Sequence, residues 1–369
     1  MPDVWPPGTA TGLGPFPGTD PLEAARIVSA ELGDPPGLPF LPELPARGVG
    51  ADPVGRTAAL LAGLHVEVGT GTWRFVTRPG RDEQRARTAL TTDLDALEEA
   101  VQGYAGPAKL RLVGPWTLAG AIELAKGEKA LADQGAVRDL TASLAEGLAG
   151  HVAGIRRRLP RLGRLVVQVD EPLLAAVVAG ELATASGWGR LRSYERAVVE
   201  DGLRQVLAAV SDPTAVSEPA ADSDPAGASD LAGASDPAGA SDLAGVWIGA
   251  TTFDGALLRA AGAGFVGLDG AVLDSIDEDE IGEAIDAGLG LLVACVPLDD
   301  PRSDPRPVTE PVRSLWRRVG FALDELPTTV ALAPVEGLEQ LDRAAVPAVL
   351  RRAVEAGRYL DEFAAEEAS

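Results

Sequence analysis

Residues 165–172 read LVVQVDEP. Four apolar residues interrupted only by Gln168 have the character of a strand buried on both faces, the pattern of a parallel sheet covered by helices. The acidic pair Asp170 and Glu171, followed by Pro172, stops that strand abruptly. In α/β barrels, polar residues at the C-terminal ends of strands are where catalytic and binding groups sit. The plainer reading is that one of the two carboxylates caps the next helix.

Outward from this stretch, strand-like runs recur at 10–14, 64–68, 109–113, 246–250, 265–269, 291–296 and 329–333, which makes eight with 165–169. Between them, residues 21–32, 82–101, 137–159, 310–321 and 344–360 carry apolar residues at helical spacing with charges between them. Strand–helix alternation repeated eight times predicts an α/β fold, a single (β/α)8 TIM-type barrel. A doubly wound open sheet is the alternative, because a sequence counts strands without showing closure. From Ser223 the chain runs SDPAGA, SDLAGA, SDPAGA, SDLAGV, with too little apolar surface to offset the entropy of ordering. The reading is therefore a low-complexity flexible linker over 211–245, a disordered repeat loop between a first barrel part, 1–210, and a second, 246–369.

Composition is that of a globular enzyme, 46% hydrophobic and 24% charged, and the formal charge of −23 disfavours nucleic acid and anionic membrane surfaces as partners. The lone cysteine, Cys295, excludes an internal disulfide and reads as a buried strand residue. No signal-peptide pattern opens the chain and no long uncharged apolar run occurs, so a cytoplasmic location is expected. Dinucleotide, P-loop and nucleophile-elbow motifs are absent. GTGTW at 69–73 reads as a hairpin turn, and His65 and His151 are too scattered to build a zinc cluster with one cysteine. If the barrel closes, its strand ends gather Pro15, Trp116, Asp170, Glu171, Asp269 and Glu336 around one cavity, four of them carboxylates. Like charges so placed raise one another's pKa, which suits acid–base work or binding of an amine or a hard cation.

The chain resembles the cobalamin-independent methionine synthase family, specifically its short members that keep only the catalytic C-terminal barrel. The resemblance is carried by TGLGPFPGTDP at 11–21, LPELPARGVGADPVGRTAALL at 41–61, LVGPWTLAGAIEL at 112–124, VQVDEP at 167–172, AGAGFVGLD at 261–269 and LAPVEGL at 332–338. It implies methyl transfer from 5-methyltetrahydrofolate to a homocysteine thiolate activated by zinc. It also implies that Asp170 contacts the substrate amino group. The positions matching the family's metal ligands are Trp247, Gly249, Asp269 and Glu336, so both cysteines and the histidine are gone. The Gly-Ser that helps hold the amino acid is replaced by Gly14-Pro15. No metal or other cofactor is therefore expected, zinc entering only if other residues compensate. Two readings follow. The first is a methionine-synthase-like barrel that binds an amino-acid or folate-like small molecule without zinc–thiolate activity, with Trp116, Pro15 and Asp170 as substrate contacts. The second is a repurposed enzyme in which Asp170, Glu171, Asp269 and Glu336 carry acid–base or hard-metal chemistry.

Overall fold

The computed structural model describes residues 4–211, 241–300 and 302–367. Among the described residues there are nine strands: β1 His65–Val68, β2 Trp73–Val76, β3 Ala108–Val113, β4 Ile122–Glu123, β5 Leu165–Asp170, β6 Leu243–Gly249, β7 Phe265–Asp269, β8 Gly290–Val296 and β9 Val330–Pro334. Six of them form one parallel sheet in the order β3-β5-β6-β7-β8-β9, and helices of the described residues intervene between each strand and the next. The helices fall where apolar spacing places them, among them Pro21–Leu32, Arg81–Ala100, Gln134–Arg158, Glu310–Val319 and Val346–Glu367. Asp20 opens the first of these by accepting the backbone N–H groups of Leu22 and Glu23. None of the described helices is long and apolar enough to cross a membrane.

Three strand expectations are revised. Residues 64–68 leave the parallel sheet: β1 turns at Gly69–Thr72 and pairs antiparallel with β2, in a small separate sheet completed by β4. Residues 10–14 form no continuous strand. Ala10 alone bridges both Leu332 and Gly37, and Phe40 bridges Lys109, so irregular chain links the β9 edge to the β3 edge. Pro15, Pro36, Pro39 and Pro42 break up these ladders because proline brings no N–H. The third revision concerns the repeats. β6 begins at Leu243, inside the fourth hexapeptide, and its preceding Asp242 pairs with Arg156 and accepts the Leu165 N–H at 2.8 Å. Residues 243–245 thus belong to the sheet, while 212–240 of the expected linker lie outside the described residues.

Alternation of side chains along each strand sorts the residues by face. Leu110 and Leu112 of β3, Leu165, Val167 and Val169 of β5, and Val246 and Ile248 of β6 join the core beneath the helices. The opposite face is divided. From β6 to β9 it is apolar, with Leu243, Trp247, Phe265, Leu292, Ala294, Ala331 and Ala333 packed on Leu13, Leu38, Val4 and Trp5. Trp5 meets Phe265 edge-on at a centroid distance of 5.0 Å. Phe265 also lies over Gly245, and Trp247 over Gly267, so close that a Cβ on either glycine would sit 2.3 Å from the ring. On β3 and β5 the same face carries Lys109, Arg111, Gln168 and Asp170, all of them inside the molecule.

Truncating the Phe265 ring removes its packing against Trp5 and over Gly245. Phe265→Ala is expected to cost about 3–5 kcal/mol, read from chemical denaturation. A loss below about 1 kcal/mol would mean that the inner face is not packed as described.

Candidate active site

A cavity of ≈ 250 Å³ opens at the C-terminal ends of the strands. Its walls are Leu13, Pro15, Pro53, Pro334, Val335, Leu338 and Trp247, and its polar groups are Arg111, Asp170, Glu336 and Glu339. That volume lies near the lower end of small-molecule sites, which run from roughly 300 Å³ upward.

Arg111 organises the polar side. Its Nε donates to Asp170 Oδ2 at 2.6 Å and its Nη1 to Glu43 Oε2 at 2.5 Å. Gly14, at φ 128°, bends the chain over it, and a Cβ there would lie 2.6 Å from the Arg111 side chain. Glu43 faces Arg56 at 3.8 Å, Arg56 pairs with Asp93, and Asp93 pairs with Arg47 at 2.6 Å. Carboxylates and guanidiniums thus alternate from the cavity outward between the helices. Burial works against the Arg111 charge, yet Asp170 and Glu43 hold its pKa above the ordinary value. Burial pushes the Asp170 carboxyl above the usual carboxylate range, with Arg111 and Gln168 pulling the other way. Gln168 Nε2 donates to Asp170 Oδ1 at 2.8 Å, and Lys109 Nζ donates to Gln168 Oε1 at 2.7 Å.

Of the residues singled out by sequence, Asp170, Pro15, Trp247 and Glu336 meet at this cavity. Trp247 turns its indole inward and donates to Glu336 Oε1 at 3.1 Å. Gly249 backs onto both: a Cβ there would fall 3.4 Å from the indole nitrogen and 3.9 Å from Glu336 Oε1. The structure does not bring the others in. One residue beyond Asp170, Glu171 faces the opposite side. It accepts the Trp116 N–H at 2.8 Å and the Thr117 N–H and hydroxyl at 2.7 Å, so it caps the helix Pro115–Ala121. Burial pushes its pKa up to about 7 against those three bonds. Trp116 packs outward among the helices, edge-on to Tyr194 at 5.0 Å, with its indole N–H on the Val199 carbonyl. Asp269 caps the short helical turn Gly270–Ser275 through the Ala271 N–H. The expected cluster of four carboxylates is thus reduced to Asp170 and Glu336, because the other two are spent on helix ends.

The scattered nitrogen and sulfur groups are likewise elsewhere. His65 Nδ1 meets Glu83 at 3.1 Å. His151, inside the helix Gln134–Arg158, is held down to about 4 by burial and by Arg56. Burial pushes the Cys295 thiol up to about 12, so it stays protonated. Zinc takes deprotonated thiolate, neutral imidazole or carboxylate donors. At the positions implied by the resemblance, Trp247 offers only an N–H already given to Glu336, Gly249 offers nothing, and Asp269 caps a helical turn. This donor set does not fit zinc, and among the described residues no group of three or more His, Cys, Asp and Glu is arranged to hold a metal ion.

No protein-family model and no curated protein matches this chain. Among solved structures it is similar to a B12-independent methionine synthase from a Shewanella species, in complex with selenomethionine, at 11% sequence identity and a TM-score of 0.55, with 98% of this chain and 99% of that one covered. A D-psicose 3-epimerase structure with D-fructose present is covered at 84%, against 74% of this chain, at 13% identity and a TM-score of 0.35. The first of these is a likeness of fold along the whole length; the second carries no argument.

Removing Arg111 leaves Asp170 and Glu43 buried without their shared cation. Arg111→Met is expected to destabilise by about 3–5 kcal/mol near neutral pH. In that variant the buried Asp170 carboxyl binds a proton more readily folded than unfolded, so the gap to the parent narrows as pH falls. Denaturant titrations at several pH values check this, and a gap that is small or independent of pH would contradict the ion network.

Proposed function

We propose that this chain is a methionine-synthase-like (β/α)8 barrel that binds a small, amino-acid-like molecule at the Asp170 cavity and does not run zinc–thiolate methyl transfer. In this reading the irregular segments around Ala10 and Phe40 take the first two of eight barrel positions, and β3 and β5–β9 take the rest. The observation that carries it is the pairing of Trp247 with Glu336 over a retained Asp170. An indole and a carboxylate occupy the ground where the resembled family holds its metal, while the carboxylate that meets the substrate amino group there keeps its place.

The cavity's charges suit such a ligand. One cation, Arg111, stands against Asp170, Glu336 and Glu339, so the site as a whole favours an ammonium group. Both Asp170 oxygens hold one donor each and retain capacity for another. Arg111 Nη2 has no protein partner among the described residues, which leaves a donor for the carboxylate of the same ligand. Leu13, Pro334, Val335 and Leu338 offer an apolar wall for its side chain. The reading as a carboxylate-cluster enzyme loses its basis, since Glu171 and Asp269 are committed to helix ends.

The test is calorimetric titration of L-methionine into the full chain. Binding is expected, with Asp170→Asn abolishing it and Glu336→Gln weakening it about threefold to tenfold. Absence of binding by the parent protein overturns the amino-acid reading. Incubation with zinc, homocysteine and 5-methyltetrahydrofolate is expected to yield no methionine, and catalytic turnover there overturns the loss of methyl transfer.

A further inference from the structure

Lys109 is fully buried on β3 and is not part of the cavity wall. Its partner is unusual for a buried ammonium. The Nζ hydrogen bond goes to the neutral amide of Gln168 at 2.7 Å, and the Phe40 ring lies 5.8 Å away. No carboxylate of the described residues stands within ion-pair distance of it. The charged groups that face it are Asp170 from β5, Glu43 from the segment before the helix Pro53–Ala58, and Arg111 two residues on along its own strand.

An ammonium has only donors, whereas a glutamine amide has one accepting and one donating end. Lys109 therefore binds the Gln168 oxygen and forces the amide nitrogen toward the acceptors on its other side, Asp170 Oδ1 at 2.8 Å and the Leu13 carbonyl at 3.3 Å. With the amide reversed, its oxygen would confront the carboxylate. The orientation of Asp170 toward the cavity thus depends on a residue that no ligand touches.

The alternating chain of Asp170, Glu43 and Asp93 with Arg111, Arg56 and Arg47 balances its own charges, so a protonated Lys109 is in excess of it. A cation arriving at Asp170 adds a further positive charge in a medium of low dielectric, and the charge without a direct counter-ion is the one to leave. We propose that Lys109 is the positioning residue of the site, setting the sense of the Gln168 amide, and that it releases its proton when a cation occupies the cavity. This rests on the cavity being an ammonium site, as argued above. Burial, set against Asp170, lowers the Lys109 pKa to about 7, so the release takes place near neutrality. Cation affinity accordingly rises with pH through that range, because the unprotonated form has already vacated the charge.

The chain has only three lysines, Lys109, Lys126 and Lys129. This makes the inference readable by NMR of the full protein carrying isotope-labelled lysine. One lysine signal is expected to titrate near neutrality and to persist in Lys126→Arg and Lys129→Arg, which change residues outside the core. Addition of n-butylammonium is expected to move that titration to lower pH. Calorimetry of the same probe in buffers of different ionisation enthalpy is expected to show proton release near pH 7, lost in Lys109→Met along with the rise in affinity. If all three lysines titrate in the ordinary range, the inference on Lys109 falls whatever the probe does. If one titrates near neutrality and the probe binds without moving it, the proton linkage falls alone. If the probe produces neither heat nor shift, the ammonium reading of the cavity falls, and the linkage with it.

Discussion

The polar half of this molecule hangs on one guanidinium. Asp170 and Glu43 come from different segments, and each is out of water with its charge directed inward. The penalty for burying such ions is several kcal/mol apiece, and their mutual repulsion adds to it. Arg111, clamped between them, turns a repulsive pair into an alternating chain that runs on through Arg56 and Asp93 to Arg47. Three carboxylates and three guanidiniums cancel along it. The chain carries a formal −23 overall, so this neutrality inside has been composed separately from the acidic balance of the whole.

That arrangement also explains why acidic residues gathered at strand ends do not behave as a common acid cluster. Each of the four took a different physical task. Asp170 answers Arg111, Glu336 receives an indole N–H, Glu171 satisfies the first turn of a helix, and Asp269 satisfies a tighter turn. A carboxylate beside orphan backbone N–H groups is held there by the same dipole that would otherwise favour an anionic ligand.

Much of the frame was legible because it follows from periodicity. The run at 165–169 is a central strand of a parallel sheet, and the apolar spacing of 21–32 is a helix with those bounds. What failed has local causes. Residues 64–68 have strand chemistry but are followed by a tight glycine-containing turn, which returns the chain on itself before any crossover is possible. The fourth SDLAGV repeat looks like its neighbours, yet a β5 partner and Arg156 give its Leu243 and Asp242 contacts that composition does not reveal. At the site, Asp170, Glu336 and Pro15 were visible, whereas Arg111, Glu43, Lys109 and Gln168 were not. The signal was present in KLRLV: Lys109 and Arg111 alternate with leucines, so a strand with its leucines under the helices must turn two cations inward. Counting apolar residues concealed it, because the partners of those cations lie far off in sequence, Gln168 and Asp170 on the next strand and Glu43.

The aromatic rings laid over facing glycines have a consequence for how this interior can change. Trp247 needs the bare backbone of Gly267 beside it, just as Phe265 needs Gly245. Shrinking the indole to imidazole size uncovers the glycine and opens a void, while adding a side chain at the glycine collides with the indole. Neither position is free to vary by itself, so their substitutions are epistatic. Exchanging the indole for a smaller side chain while filling the glycine would pass through a destabilised intermediate sequence, so the pair is hard to change by single steps.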